Sequence, residues 1–162
     1  MAEALDASIE LVIDARPRSV GNVTVARLIP SRSAATWARF VFWISWARSH
    51  SPAGTGFDVA PHPHIGLSPV TYLFADEVMH RDSVGSAQLV KPGALNLMTA
   101  GKGIVHSERA QPEWRSTGGI MHGAQLWLGL SPEHEHGEPV VAHHWVTRSH
   151  GRRRAWDLPE RR

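Results

Sequence analysis

Two short runs carry the side chains best suited to chemistry: His62-Pro63-His64 and His106-Ser107-Glu108. On an extended chain, residues i and i+2 point to the same side. The first run therefore sets two imidazoles on one strand face, and the second sets an imidazole and a carboxylate. Placed side by side, the two strands would form a cage of three nitrogens and one oxygen. Such a mixed set suits one divalent transition metal: Fe(II), Mn, Ni, Cu or Zn. The predicted metal ligands are thus His62, His64, His106 and Glu108. In a chain with 11 histidines one such pair arises by chance. The matched spacing of a second pair is what points to a site.

The other candidates are weaker. His80 reads as a strand residue near the pocket, and His122 as a partner standing behind a ligand. His134 and His136 belong to an acidic, solvated loop, Glu133-His134-Glu135-His136-Gly137. His143 and His144 are adjacent, so they face opposite ways and cannot pair as His62 and His64 do. His50 and His150 lie in segments with no clear pattern. Ser107 points away from both of its neighbours, which excludes it as a triad serine. Gly101-Lys102-Gly103 lacks the flanking spacing of a phosphate loop and reads as a tight turn.

The elements that must position these groups are strands. Ser8–Asp14 and Val20–Ile29 read as the first two. Pro69–Phe74 is rich in strand formers. Val78–Arg81, Ala87–Val90, Leu95–Met98 and Gly103–His106 follow, separated by Gly- and Pro-bearing turns. Gln125–Leu130 alternates, with Leu126, Leu128 and Leu130 on one face, and Val140–His144 closes the series. Trp127 is expected to pack and Trp114 to lie in a loop. No amphipathic helix of useful length is evident. Many short strands predict an all-β sandwich or barrel.

Composition narrows the function classes. The chain has 162 residues and no cysteine, which suits one domain and excludes disulfides, thiolate metal sites and a cysteine nucleophile. A reducing cytoplasm is the expected compartment. The N-terminus lacks the basic and apolar regions of a signal peptide. The greasiest stretch, Phe40–Ala47, is too short to span a membrane. The pI near 9.7 suggests nucleic acid, but the charge is in the wrong place. Residues 148–162 hold six arginines against Asp157 and Glu160, leaving 11 basic and 13 acidic residues in the rest. A basic groove on the fold is not expected. The tail 147–162 is expected to be mobile or loosely docked, outside a domain spanning 1–146.

Several runs in order resemble the pirin family of the cupin superfamily. They are Pro61–Gly66, Val70–Phe74, His80–Ser83, Met98–Glu108, His122–Trp127 and Glu138-Pro139. The resemblance covers roughly residues 55–144. It implies a single cupin-type jelly-roll barrel with irregular N- and C-terminal segments. It implies an Fe(II)-type site with His62, His64, His106 and Glu108 at the family's ligand positions. It also implies quercetin dioxygenase activity, seen in several members, or a role as transcriptional co-regulator or protein partner. The chain departs from the pattern in three ways. Family members usually carry two cupin domains, the tail from about Trp145 is unlike the family, and Phe42–His50 replaces an acidic stretch. We read the last replacement as the trace of a short compensated frameshift.

On this reading a flavonol is the candidate substrate, with Glu108 as ligand or as general base for its 3-hydroxyl. Val70, Tyr72, Phe74, Leu126 and Leu128 are the expected pocket walls. An apolar face left without a second domain would favour a homodimer.

Overall fold

A computed structural model describes residues 13–31 and 40–146 of the chain. It contains eleven strands among these residues. They are β1 (Arg16–Val20), β2 (Val23–Ile29), β3 (Phe40–Ser51), β4 (Asp58–His64), β5 (Leu67–Ala75) and β6 (Val78–Asp82). Next come β7 (Ala87–Val90), β8 (Ala94–Thr99), β9 (Ile104–Ala110), β10 (Gly119–Gly129) and β11 (Val140–Trp145). One short helix, α1 (Pro112–Thr117), precedes β10.

The strands form two sheets. The larger has the order β1-β2-β3-β10-β5-β8-β11, and the smaller β4-β9-β6-β7. The all-β cupin barrel expected from the sequence is the fold observed. The run Val20–Ile29, expected as one strand, is broken by a turn at Gly21-Asn22 into the β1–β2 hairpin. Of the strand expected over Ser8–Asp14, residues 8–12 lie outside the described residues, and Ile13 and Asp14 are not in a strand. The expected tail, 147–162, also lies outside them.

The core fills the space between the sheets. Val25, Ile44, Trp46, Leu73 and Met121 of the larger sheet meet Val59, Val78, Val90 and Ala110 of the smaller. Phe57 is wholly buried among them, edge-on to Trp46 at 5.8 Å and stacked on Trp114 at 6.5 Å. Trp114, expected in a loop, instead rides on α1, where Pro112 opens the first turn and the indole turns inward. A six-residue helix leaves too few residues for a periodic pattern, so the sequence does not announce it.

The run Phe42–His50, which breaks the family pattern, is part of a central strand. β3 pairs with β2 on one side and β10 on the other. Its alternation suits a half-buried sheet. Phe42 stacks on Trp127 at 4.2 Å, while Ile44 and Trp46 are buried. Gly101-Lys102-Gly103 is the tight turn expected. Gly101 has φ +50°, and a Cβ there would lie 2.1 Å from the Gly137 carbonyl oxygen. Among the described residues no helix is long and apolar enough to cross a membrane.

Leu73 is wholly buried at the centre of this core. Leu73→Ala is expected to cost about 2–5 kcal/mol, through lost burial plus the cavity left behind. Denaturant unfolding of the two proteins measures the difference.

Candidate metal centre

The site is built on β9, which lies between β4 and β6. Along β9 burial alternates: Ile104, His106, Glu108 and Ala110 face inward, while Val105 is exposed. His106 and Glu108 therefore enter the inter-sheet space together, as their spacing predicts. Ser107 points the other way. On one side, β4 sets His62 opposite His106. On the other, β6 sets Asp82 opposite His106 and His80 opposite Glu108.

Three of the four expected ligands converge. The ligand nitrogens of His62, His64 and His106 lie within 4.8 Å of one another. His64 Nε2 is 3.1 Å from His106 Nε2, and the His62 and His106 ring centroids are 4.4 Å apart. His62 Nδ1 is 2.9 Å from the Ala60 carbonyl oxygen. A carbonyl only accepts, so this nitrogen carries the proton and Nε2 is left as a donor to a metal. His64 and His106 are buried, and His62 is half-buried.

Glu108 is buried on the same face but is not part of that three-residue group. Its Oε1 accepts a hydrogen bond from Gln125 Nε2 at 3.2 Å. The orientation of Gln125 is fixed by its other partners. Trp127 Nε1 donates to its Oε1 at 3.0 Å, and its Nε2 also donates to Thr71 Oγ1 at 3.0 Å. The amide must therefore turn its NH₂ toward Glu108. Sequence reasoning missed Gln125, since the leucines at 126, 128 and 130 drew attention to the opposite face. The signal was present: Gln125 and Trp127 alternate out of phase with those leucines.

That phase also corrects the expected pocket walls. Thr71, Leu73 and Gln125 face the interior, whereas Phe74 is 46% exposed. Val70, Tyr72, Leu126 and Leu128 share the half-buried outer face with Phe74. Alternation sorts residues into two sets without saying which set is inside. Here buried hydrogen bonds allow the polar Thr71 and Gln125 to take the inner positions. His122 is likewise not behind a ligand; it packs against Phe74 at 4.8 Å on the outer face. His80 is near the centre as expected, buried, with its ring 5.1 Å from that of His106. His134 and His136 are exposed, His144 is exposed while His143 is half-buried, and His50 is exposed. His150 lies outside the described residues.

Burial sets the electrostatics. It pushes His106 down to about 3, helped by the neighbouring imidazoles of His62, His80 and His64 and opposed by Asp82. His64 is held down at about 4, by burial first and then by His62. Both imidazoles are thus neutral near pH 7, the state a metal requires. Burial pushes Glu108 up to about 7, opposed by the Gln125 hydrogen bond. A cation among these groups would supply the charge that favours a carboxylate. The three imidazoles with lone pairs available, beside a carboxyl waiting for a counter-charge, fit a divalent transition ion.

The pirin family model matches residues 22–128. The chain belongs to the pirin family. A pirin-like protein of Caulobacter vibrioides is 45% identical over 138 residues, covering 84% of this chain and 48% of its own length. A Pseudomonas aeruginosa protein, named provisionally as a quercetin 2,3-dioxygenase, is 41% identical over 76% of this chain and 38% of its own. The solved quercetin 2,3-dioxygenase of Acinetobacter baumannii superposes with a TM-score of 0.76 at 37% identity, over 83% of this chain and 44% of that one. The pirin chain described here thus spans about half the length, or less, of these relatives. A pirin of Escherichia coli, solved in complex with nickel(II), shares the fold with a TM-score of 0.64 at 22% identity.

Acid and alkaline limbs of stability follow from the buried groups. The two imidazoles contribute fully above their ordinary value of 6.5, and lose that contribution as pH falls through about 4 and then about 3. Glu108 contributes fully below its ordinary 4.5 and loses that contribution as pH rises through about 7. Metal-free Glu108→Gln is therefore expected to gain in melting temperature over metal-free wild type between about pH 5 and about pH 8. Parallel melting curves across that range would show that Glu108 ionises normally.

Proposed function

We propose that this chain binds one divalent transition metal through His62, His64, His106 and Glu108, and that it acts as a flavonol dioxygenase with Fe(II) as the working ion. The observation that carries the proposal is the convergence of three imidazoles, two of them buried and held neutral. When bound, the metal supplies a Lewis acid for the flavonol's 3-hydroxyl and a redox centre for dioxygen.

The chain's own residues have distinct tasks in this reaction. His62, the least buried of the three imidazoles, is the ligand nearest to solvent. His64 packs edge-on against Trp127 at 4.8 Å, which restricts its ring. Glu108 serves as the fourth ligand, or as the base that takes the hydroxyl proton. A base needs a pKa near the working pH, and burial brings Glu108 to about 7. Gln125 holds that carboxyl in place in either role. Dioxygen then cleaves the heterocycle, and carbon monoxide leaves.

A second reading is a metal-dependent protein-binding module. It is favoured by two exposed apolar side chains, Ile65 at 66% and Val105 at 43%, which line one shallow depression together with His64. Single apolar residues are ordinary on surfaces, but a contiguous group is a contact candidate.

Two measurements test the proposal. Metal analysis is expected to find about one ion per chain, and metal is expected to raise the melting temperature of stripped protein by mass action. The double variant His62→Ala, His106→Ala is expected to lose the ion and the shift. Full occupancy in that variant would remove the site. Quercetin and air are then added to protein loaded with iron(II) without oxygen. Flavonol loss with release of carbon monoxide, absent in the double variant, supports the dioxygenase. Metal binding with no turnover supports the binding module.

A further inference from the structure

We propose that Asp82 and His80 form a positioning relay that fixes the tautomer of His106 and so keeps its Nε2 available to a metal. The inference rests on the metal-site reading above and concerns residues outside the ligand set.

The relay is built by β6 lying against β9. The Asp82 side chain has no exposure, and that of His80 has 3%. Oδ1 of Asp82 accepts the backbone N–H groups of Val84 and Ser86, each at 3.0 Å. Oδ2 lies 2.9 Å from His80 Nε2. A carboxylate only accepts, so His80 Nε2 carries a proton. The relay requires His80 to carry only this proton and to keep its lone pair on Nδ1. That atom is 3.3 Å from His106 Nδ1. For this contact to be a hydrogen bond, His106 must donate from Nδ1. Its lone pair is thereby left on Nε2, the atom that faces His64 Nε2 at 3.1 Å.

Each link has one polarity, and the polarity starts at the turn after β6. Two backbone N–H groups hold an oxygen at the Oδ1 position of residue 82. With one proton on each imidazole, the donors then run in a single direction from there to His106. His62 reaches the same tautomer more simply, through the Ala60 carbonyl. The partner that orients a ligating histidine typically matters 10- to 100-fold in metal affinity, a range of about that size being expected here.

Asp82→Asn is the decisive variant, because it inverts the relay without removing it. The Val84 and Ser86 N–H groups still demand an oxygen, so the new NH₂ must face His80 Nε2. His80 then accepts at Nε2 and carries its proton on Nδ1. It donates to His106 Nδ1, and the His106 proton moves to Nε2. Wrong-tautomer effects of this kind are known where an Asp that orients a catalytic His is changed to Asn.

The experiment uses histidine-labelled, metal-free protein, reading each ring's tautomer by nitrogen-15 NMR, and zinc affinity by titration. Wild type is expected to show His106 protonated on Nδ1. Asp82→Asn is expected to show it protonated on Nε2 and to bind zinc about 10- to 100-fold more weakly. His80→Ala is expected to lose affinity without the inversion. A wild-type His106 protonated on Nε2 overturns the relay and needs no variant to fold. So does an Asp82→Asn protein that binds zinc as tightly as wild type. Wild type with the expected tautomer but no zinc binding would overturn the metal centre instead, so the two failures are distinguishable.

Discussion

Imidazoles and carboxyl groups can share the dry space between two sheets only if each is neutral, hydrogen-bonded or bound to a cation. Here that space receives His64, His80, His106, Glu108 and the side chain of Asp82. Most of the surrounding polar architecture answers this demand. Gln125 meets Glu108, Asp82 meets His80, and the turn after β6 meets Asp82. The larger sheet contributes through β10, whose Trp127 both orients Gln125 and packs on His64. β3 contributes through Phe42, which stacks on Trp127. Apolar packing thus reaches the ligand cluster through one indole. Among the described residues the inward nitrogens of His64 and His106 meet each other, which is where a metal would act.

The sequence made the ligands legible because their geometry is local. A spacing of two residues on a strand fixes a shared face whatever the rest of the chain does, so His62 with His64 and His106 with Glu108 could be paired on sight. The barrel was legible from short strands and turn residues. Which face of a strand is the inner one was not. On β5 and β10 the run Val70, Tyr72, Phe74 and the pair Leu126, Leu128 look like a core set, yet they lie on the outer face. The inner face carries Thr71 and Gln125, which are tolerable inside only because they bond each other and Glu108. That compensation depends on the register between β5 and β10, which no single strand encodes.

Asp82 shows the same limit from another side. In the sequence it belongs to Asp82-Ser83-Val84-Gly85, an ordinary turn signature. Its turn-forming role is real, since it captures the Val84 and Ser86 N–H groups. Its second role requires the register of β6 against β9. The helix carrying Trp114 escaped notice for a different reason, its brevity. The strand Phe40–Ser51 escaped because a nearly continuous apolar run does not by its periodicity separate a buried strand from a buried helix segment.

The alternation along β9 has a consequence for how the gene can change. Side chains along a strand have a period of two, so losing or gaining one residue between β8 and the middle of β9 exchanges the two faces. Val105, Ser107 and Arg109 would then enter where His106 and Glu108 now stand. A pair of residues gained or lost shifts the strand but keeps its parity. Length variation in this stretch is therefore filtered by odd and even, and descendants that keep the site should differ here by even steps or by bulges that restore the count.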